Sequence, residues 1–390
     1  MGAGNTADRV TQLLSQLVSI DSVNLDMPGA TNGEKRHSDF IAGLGREMGL
    51  EVSQTEVLSG RPNVLLELKQ PDARRRFLFD IHLDTVPLGG ARAGLDPIVE
   101  DGRLYGRGAC DTKGSMAAAL LALERLVADP PADGCDVALL GTVDEEYLKR
   151  GVDFALDAGL TADAALVGEP TNLQPVTAHK GVVRWEVVTR GRTAHTSRPD
   201  RGVNAIYAMT HVIDALRDRF EVGGMVGPHP LCGESTLTVS TIRGGVQVNI
   251  VPDECRIEID RRTLPGENGT EFFEAVQSEL SNLVAREPWI EVECLDPFLY
   301  EDGVDTAPDA PLVRHVQAAC EKLGLPNALG GVPYGTDGAA LAPAGIETVI
   351  LGPGSIEQAH SPVEWVELEQ VEKCAALYED IVRSFAASGE

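Results

Sequence analysis

The chain lacks the marks of a secreted scaffold, a membrane protein or a nucleic-acid binder. Its seven cysteines, Cys110, Cys135, Cys232, Cys255, Cys294, Cys320 and Cys374, are odd in number, widely spaced and contain no C-x-x-C. That argues against a disulfide framework and a thiolate zinc site, and it predicts a reducing, cytoplasmic setting. No 18 apolar residues run together, and no basic stretch followed by an apolar segment opens the chain, so neither a membrane span nor a secretory signal is expected. Positive charge is scarce: 33 Lys and Arg stand against 60 Asp and Glu, a net charge of −27. Such a surface repels nucleic acid and anionic membrane, and no partner of either kind is expected. Internal repeats, low-complexity tracts and a phosphate-cradling loop are missing as well. What remains is 390 residues of ordinary globular composition, 43% apolar and 24% charged, enough for two or three domains and a sizeable core.

Val10, Leu13, Leu14, Leu17 and Val18 recur at the spacing of an amphipathic helix, and a second helix is expected near residues 35–49. Short apolar runs at 63–68, 77–81, 137–142 and 164–168 alternate with helical patterns at 115–128 and 152–158. Bounded by Gly and Pro, they read as buried strands of an α/β sheet. From about Lys180 the pattern changes. Residues 182–190, 236–242 and 254–260 alternate apolar and polar with period two, as half-buried antiparallel strands do, beside helical patterns at 202–220 and 269–286. After about Pro297 the earlier style returns, with a helix near 311–323, a strand at 348–351 and a final helix at 368–387. The expected architecture is an α/β catalytic domain with a mixed sheet flanked by helices, built from residues 1–179 and 296–390. An α+β domain at 180–295 interrupts it.

Histidine is scarce too, with eight in the chain, and two sit in unusual company. His82 and Asp84 end an apolar strand two residues apart, on one face of an extended chain. The carboxylate could hold the second nitrogen of a metal-bound imidazole, or the pair could be a buried His satisfied by its neighbour. Asp111 lies in a glycine-rich loop before the 115–128 helix, as a ligand or as a turn and capping residue. Asp144, Glu145 and Glu146 follow one apolar run, Glu169 follows the next, and His360 sits in a Gly/Pro loop after the last. Strand C-termini are where ligands collect in open α/β sheets. Two His and several carboxylates without Cys suit a pair of divalent cations, zinc fitting best. Such a pair needs a bridging carboxylate and, for each ion, one His and one further carboxylate. One glutamate is then spare: of Glu145 and Glu146, one can ligate and the other act as general base.

The ordered blocks His82-x-Asp84-x-x-Pro87, Gly106-Arg-Gly-x-x-Asp111-x-Lys-Gly114, Glu145-Glu146, Gly168-Glu169-Pro170-Thr171, Ala194-His195-x-Ser197-x-Pro199, Asn249-x-x-Pro252, Asp260-x-Arg262-x-x-Pro265-Gly266 and His360 run nearly the whole length. Through them the chain resembles the co-catalytic zinc hydrolases that include acetylornithine deacetylase, succinyl-diaminopimelate desuccinylase, aminoacylase and glutamate carboxypeptidase. The resemblance implies that Asp111 bridges two Zn2+ ions, for which Co2+ can substitute. His82 and Glu169 would complete one site, Glu146 and His360 the other. Glu145 would be the base, and Asp84 would orient His82. It further implies a cis peptide after Asp111, and a lid and dimerisation role for the inserted domain. In such a homodimer His195 would serve the opposite subunit as an oxyanion donor, while Arg262 and Asn249 would bind substrate carboxylate or the tetrahedral intermediate. Within the family, the segments Leu351–His360 and Pro333–Gly338 look closest to acetylornithine deacetylases, which implies an N-acyl amino acid substrate and a place in arginine biosynthesis. Desuccinylase, broad aminoacylase and dipeptidase or carboxypeptidase activities stay open, as does a metal-binding protein without turnover, although no ligand or base is missing.

Overall fold

Four parallel strands form the centre of the larger sheet, in the spatial order Cys135–Thr142, Arg75–His82, Ala164–Val167 and Glu347–Ile350. Their near-continuous apolar runs are buried, as strands covered on both faces must be. Arg61–Leu68 adds antiparallel to Cys135–Thr142, Glu51–Leu58 extends that edge, and Val176 pairs antiparallel with Ile350 on the other side. The sheet is therefore mixed, and the α/β class read from the sequence is the one that forms. The computed structural model describes residues 6–388 apart from 132, 133 and 224. It divides into two compact units, one of Met1–Thr177, Thr306–Gly330 and Thr336–Glu390, the other of Ala178–Asp305 and Gly331–Gly335.

In the first unit the helices Thr6–Val18, Lys35–Glu47, Lys113–Ala128, Pro311–Lys322 and Leu368–Ala387 contribute to one continuous core with the sheet. Lys113–Ala128 is buried almost all round, and its run of alanines lets neighbours approach closely. Phe77 meets Phe79 and Phe385 edge-on, both at 5.3 Å between ring centres, and Phe79 lies 5.0 Å from Tyr378. These rings fasten the last helix to the strand that ends at His82. A small antiparallel sheet of Ile98–Glu100, Arg103–Tyr105 and Trp365–Glu367 joins the loop before Asp111 to the segment after His360.

The second unit is an antiparallel sheet in which Gly181–Arg190 is central, flanked by Glu254–Thr263 and then Thr236–Gly244 on one side and by Glu291–Cys294 and Leu299–Glu301 on the other. Helices Ala205–Phe220 and Gly269–Arg286 start at Asn204 and Asn268, whose side chains accept the first free N–H groups. Trp185, Ile257, Ile259, Met209 and Phe272 fill the core beneath them. The other sheet face is charged, with Arg184 paired to Asp260 at 2.7 Å and Arg256 to Glu186 at 2.7 Å. All seven cysteines are free, and among the described residues no helix is long and apolar enough to cross a membrane.

Candidate metal centre

Each of the parallel strands leads at its C-terminal side to a candidate metal-binding group, at the strand end or in the loop that follows. His82 is the last residue of Arg75–His82, Glu145 and Glu146 follow Cys135–Thr142, Glu169 follows Ala164–Val167, and His360 follows Glu347–Ile350. Asp111 arrives from the loop before Lys113–Ala128, and the Asp111–Thr112 peptide is cis. In that loop Gly108 has φ 80° and a Cβ there would lie 2.8 Å from Thr85, so the turn admits only glycine.

Asp111 stands between the two imidazoles. His82 Nε2 is 3.0 Å from its Oδ1 and His360 Nε2 is 3.4 Å from its Oδ2. Glu169 lies 3.9 Å from His82, and Glu146 3.0 Å from His360. One ligand atom each from His82, Asp111 and Glu146 falls within 4.8 Å of the others, and the same holds for His82, Glu145 and Glu169. Glu145 also pairs with Lys149 at 3.1 Å. Non-glycine residues with positive φ gather in these loops: Asp144 at 72°, Lys149 at 54° and His360 at 57°.

Asp84 serves its neighbours in two ways. His82 Nδ1 faces its backbone oxygen at 3.0 Å, with the carboxylate farther off at 3.5 Å. The carboxylate itself accepts the backbone N–H groups of Glu145 and Glu146, both at 3.1 Å, and Asn24 Nδ2 at 2.8 Å. Asn24 also donates to Asp144 at 3.0 Å, and Arg61 reaches Asp144 and Glu34 from below.

The electrostatics of the cluster favour cations. Burial and then the charge of Asp111 push Glu169 well above the usual carboxylate range and Glu146 up to about 7. Burial opposes the ionised form of Asp111 as well, but hydrogen bonds from His360 and His82 outweigh it and hold that carboxyl low. Contact with Asp111 and Glu146 pushes His360 up to about 11. Burial works against His82 carrying charge, yet Asp111 and Asp84 raise it well above its ordinary value. Carboxylates crowded out of water are costly unless cations neutralise them, and the His and carboxylate donor set suits borderline divalent ions. The residues present thus fit a pair of metal ions.

His195, Asn249 and Arg262 lie in the second unit. His195 is exposed, with its Nδ1 2.8 Å from the Ser197 hydroxyl and 3.2 Å from the Ser197 backbone N–H. The Asn249 backbone oxygen accepts the Thr196 N–H at 3.2 Å. Arg262 is half-buried and donates through Nε to Asp260 at 2.8 Å, an ion pair along its own strand.

Sequence reasoning missed several residues that support the cluster: Asn24, Arg61, Lys149 and, above all, Glu364, which accepts N–H groups of the Asp111 loop. Three of them announce themselves by no spacing in the chain. Glu364 had one weak signal, its position four residues beyond His360.

The fold, and the set of groups at its strand ends, define a metallohydrolase of peptidase family M20/M25/M40. The family's sequence profile matches residues 78–384, and the chain belongs to that family. Among its relatives, acetylornithine deacetylase of Myxococcus xanthus is 34% identical over 317 residues, 78% of each chain. Acetylornithine deacetylase of Klebsiella pneumoniae is 30% identical over 386 residues, 96% of this chain and 97% of its own. Among solved structures, a tripeptidase from Staphylococcus aureus has a TM-score of 0.81 at 23% identity, covering 97% of this chain and 98% of that one. The YXEP protein of Bacillus subtilis, described as a dinuclear metal binding peptidase, has a TM-score of 0.73 at 16% identity, with 97% of each chain covered.

Proposed function

We propose that the chain is a two-metal amidohydrolase that removes the acyl group from an N-acyl amino acid, with N-acetylornithine as its substrate. The observation that carries this is Asp111, set between His82 and His360 with Glu169 and Glu146 outside them. In this reading Asp111 would be shared between two ions, with His82 and Glu169 holding one and Glu146 and His360 the other. Zinc suits these donors, and cobalt can replace it. When bound, such ions polarise a carbonyl and lower the pKa of water. Glu145, carried beside Glu146 but pointing at Lys149, takes the proton of the attacking water and returns it to the leaving amine. Asp84 holds the loop that presents both glutamates. His195 offers a ring N–H to the developing oxyanion. Arg262 exchanges Asp260 for the substrate's α-carboxylate, with Asn249 as a further polar contact.

The relatives named acetylornithine deacetylase, matched over nearly their whole length, support the choice of substrate. We further propose a homodimer built through an inserted lid domain at about 180–295, which would bring His195 to the opposite subunit. In the second unit Tyr207, Val246, Val248 and Trp289 are exposed and line a groove of about 1000 Å3, apolar surface that a second copy would cover. Seven free thiols support a cytoplasmic setting.

A panel of N-acetyl, N-succinyl and N-formyl amino acids and dipeptides tests the reading. N-acetylornithine should give the highest kcat/KM, and α-amidated analogues should fail because Arg262 has no carboxylate to grip. Preference for N-succinyl-diaminopimelate or for dipeptides would reject the substrate while leaving the metal chemistry standing.

A further inference from the structure

We infer that Glu364 is a positioning residue that ties the Asp111 loop to the His360 loop and thereby sets the second of the two proposed ion sites. The inference rests on the two-metal reading above.

Glu364 is placed by sheet register. Trp365 pairs with Tyr105 in the small antiparallel sheet, and the ladder continues as the Gly106 N–H donates to the Glu364 backbone oxygen at 3.1 Å. That puts the side chain, 1% exposed, under the glycine-rich loop. Oε1 accepts the N–H groups of Cys110 at 3.0 Å and Asp111 at 3.1 Å. Oε2 accepts the Gly108 N–H at 3.0 Å and Arg107 Nη1 at 2.6 Å. A carboxylate has about four acceptor positions, and here they are filled by the segment that ends in Asp111.

The same residue stands four positions beyond His360, joined to it by Ser361, Pro362 and Val363. One side chain therefore fastens the bridging carboxylate and the His360 segment to each other. His82 and Glu169 need no such tether, because His82 ends one central strand and Glu169 stands two residues beyond the end of its neighbour. A slackened tether would let Asp111 and His360 drift apart while His82 and Glu169 stay put. The ion assigned to Glu146 and His360 should then suffer first.

Glutamine is the informative replacement. It keeps the shape but turns one oxygen into an NH2 group facing backbone donors, and it removes the charge opposite Arg107. E364D keeps the charge and shortens the reach. Metal-free wild type, E364Q and E364D are titrated with Zn2+ by calorimetry against a competing chelator, and with Co2+ by visible absorption. Wild type should take up two ions. In E364Q the first step should stay within about threefold of wild type while the second weakens about 10–100-fold, the range for groups that support metal ligands. E364D should fall between, and the Co2+ absorption of the second equivalent should change in both variants. Two wild-type-like steps in the variants, or equal weakening of both steps, would overturn the tether alone. A wild-type chain that takes up no ion would overturn the two-metal reading and the tether with it. If E364Q does not fold, E364D carries the same comparison.

Discussion

The Asp84 carboxylate accepts the backbone N–H of Glu145 at 3.1 Å, and its second oxygen accepts that of Glu146 at the same distance. The residue beside the His82 strand end therefore also aims the loop bearing the proposed base and one proposed ligand. Asp84→Asn would turn an amide NH2 toward one of those donors. Turnover should fall about 10–100-fold, as for other groups that orient metal ligands. A kcat equal to wild type in steady-state assays would show that the loop holds its place without Asp84.

Glu145→Gln separates base from ligand. The variant should bind metal like wild type and lose about 10²–10⁴ in kcat, the usual worth of a positioned general base. Weakened metal uptake in Glu145→Gln, with Glu146→Gln retaining its ions, would exchange the two roles. The geometry makes the test a sharp one, because Glu145 also lies within ligand reach of His82 and Glu169.

Metal loading should release protons. In the metal-free chain Asp111 and Glu146 push His360 up to about 11, Asp111 and Asp84 raise His82 despite its burial, and burial lifts Glu146 to about 7. At pH 7 these imidazoles hold protons that an incoming ion must displace. Affinity should therefore fall as pH falls. Calorimetric heats in buffers of different ionisation enthalpy should differ in proportion to the protons released. Identical heats in every buffer would contradict the assigned ligands.

A second pH effect concerns stability. His37 is fully buried with Nδ1 2.9 Å from the Leu83 oxygen, and burial, aided by Lys113, depresses it to about 3. Its folded value lies below its unfolded value of about 6.5. The unfolded chain thus binds more protons between those limits, and stability present above pH 6.5 is lost as pH falls toward 3. At pH 5 the loss from this residue alone is about 2 kcal/mol. Denaturant midpoints of wild type and His37→Gln at pH 7 and pH 5 should converge as pH falls, and parallel shifts would show that His37 is not the group responsible.

The strand ends that hold the cluster are legible in sequence for a physical reason. Strands buried on both faces must be apolar runs, so a charged residue just past such a run stands out. His82, Glu145 and Glu169 all occupy that position, and Asp111 and His360 lie in Gly-rich turns that punctuate the pattern. Glu51–Leu58 escapes notice because an edge strand carrying Glu, Ser, Gln and Thr has neither a continuous apolar run nor clean alternation. Glu364 escapes for a different reason: its partners are mainly backbone N–H groups, which every residue has and no side-chain pattern records. Arg262 shows the same limit from the other direction. Its identity suggests a carboxylate partner, but only the fold reveals that Asp260 fills that place.

Arg262→Lys probes that exchange. If the guanidinium leaves Asp260 for the substrate's α-carboxylate, an ammonium cannot reproduce its planar two-point contact. KM for N-acetylornithine should rise about tenfold or more, the scale of one lost charge-assisted bond. An unchanged KM would assign Arg262 to its strand pair alone.

Hydrolysis by this chain is expected to require two ions in the His82, Asp111, Glu146, Glu169 and His360 cluster. Stripping the purified chain with a chelator and adding Zn2+ in measured equivalents, with N-acetylornithine hydrolysis followed at each step, tests it most directly. Activity should be absent in the stripped chain and should climb until two equivalents are bound. Full activity in chain shown by elemental analysis to be metal-free would contradict the account.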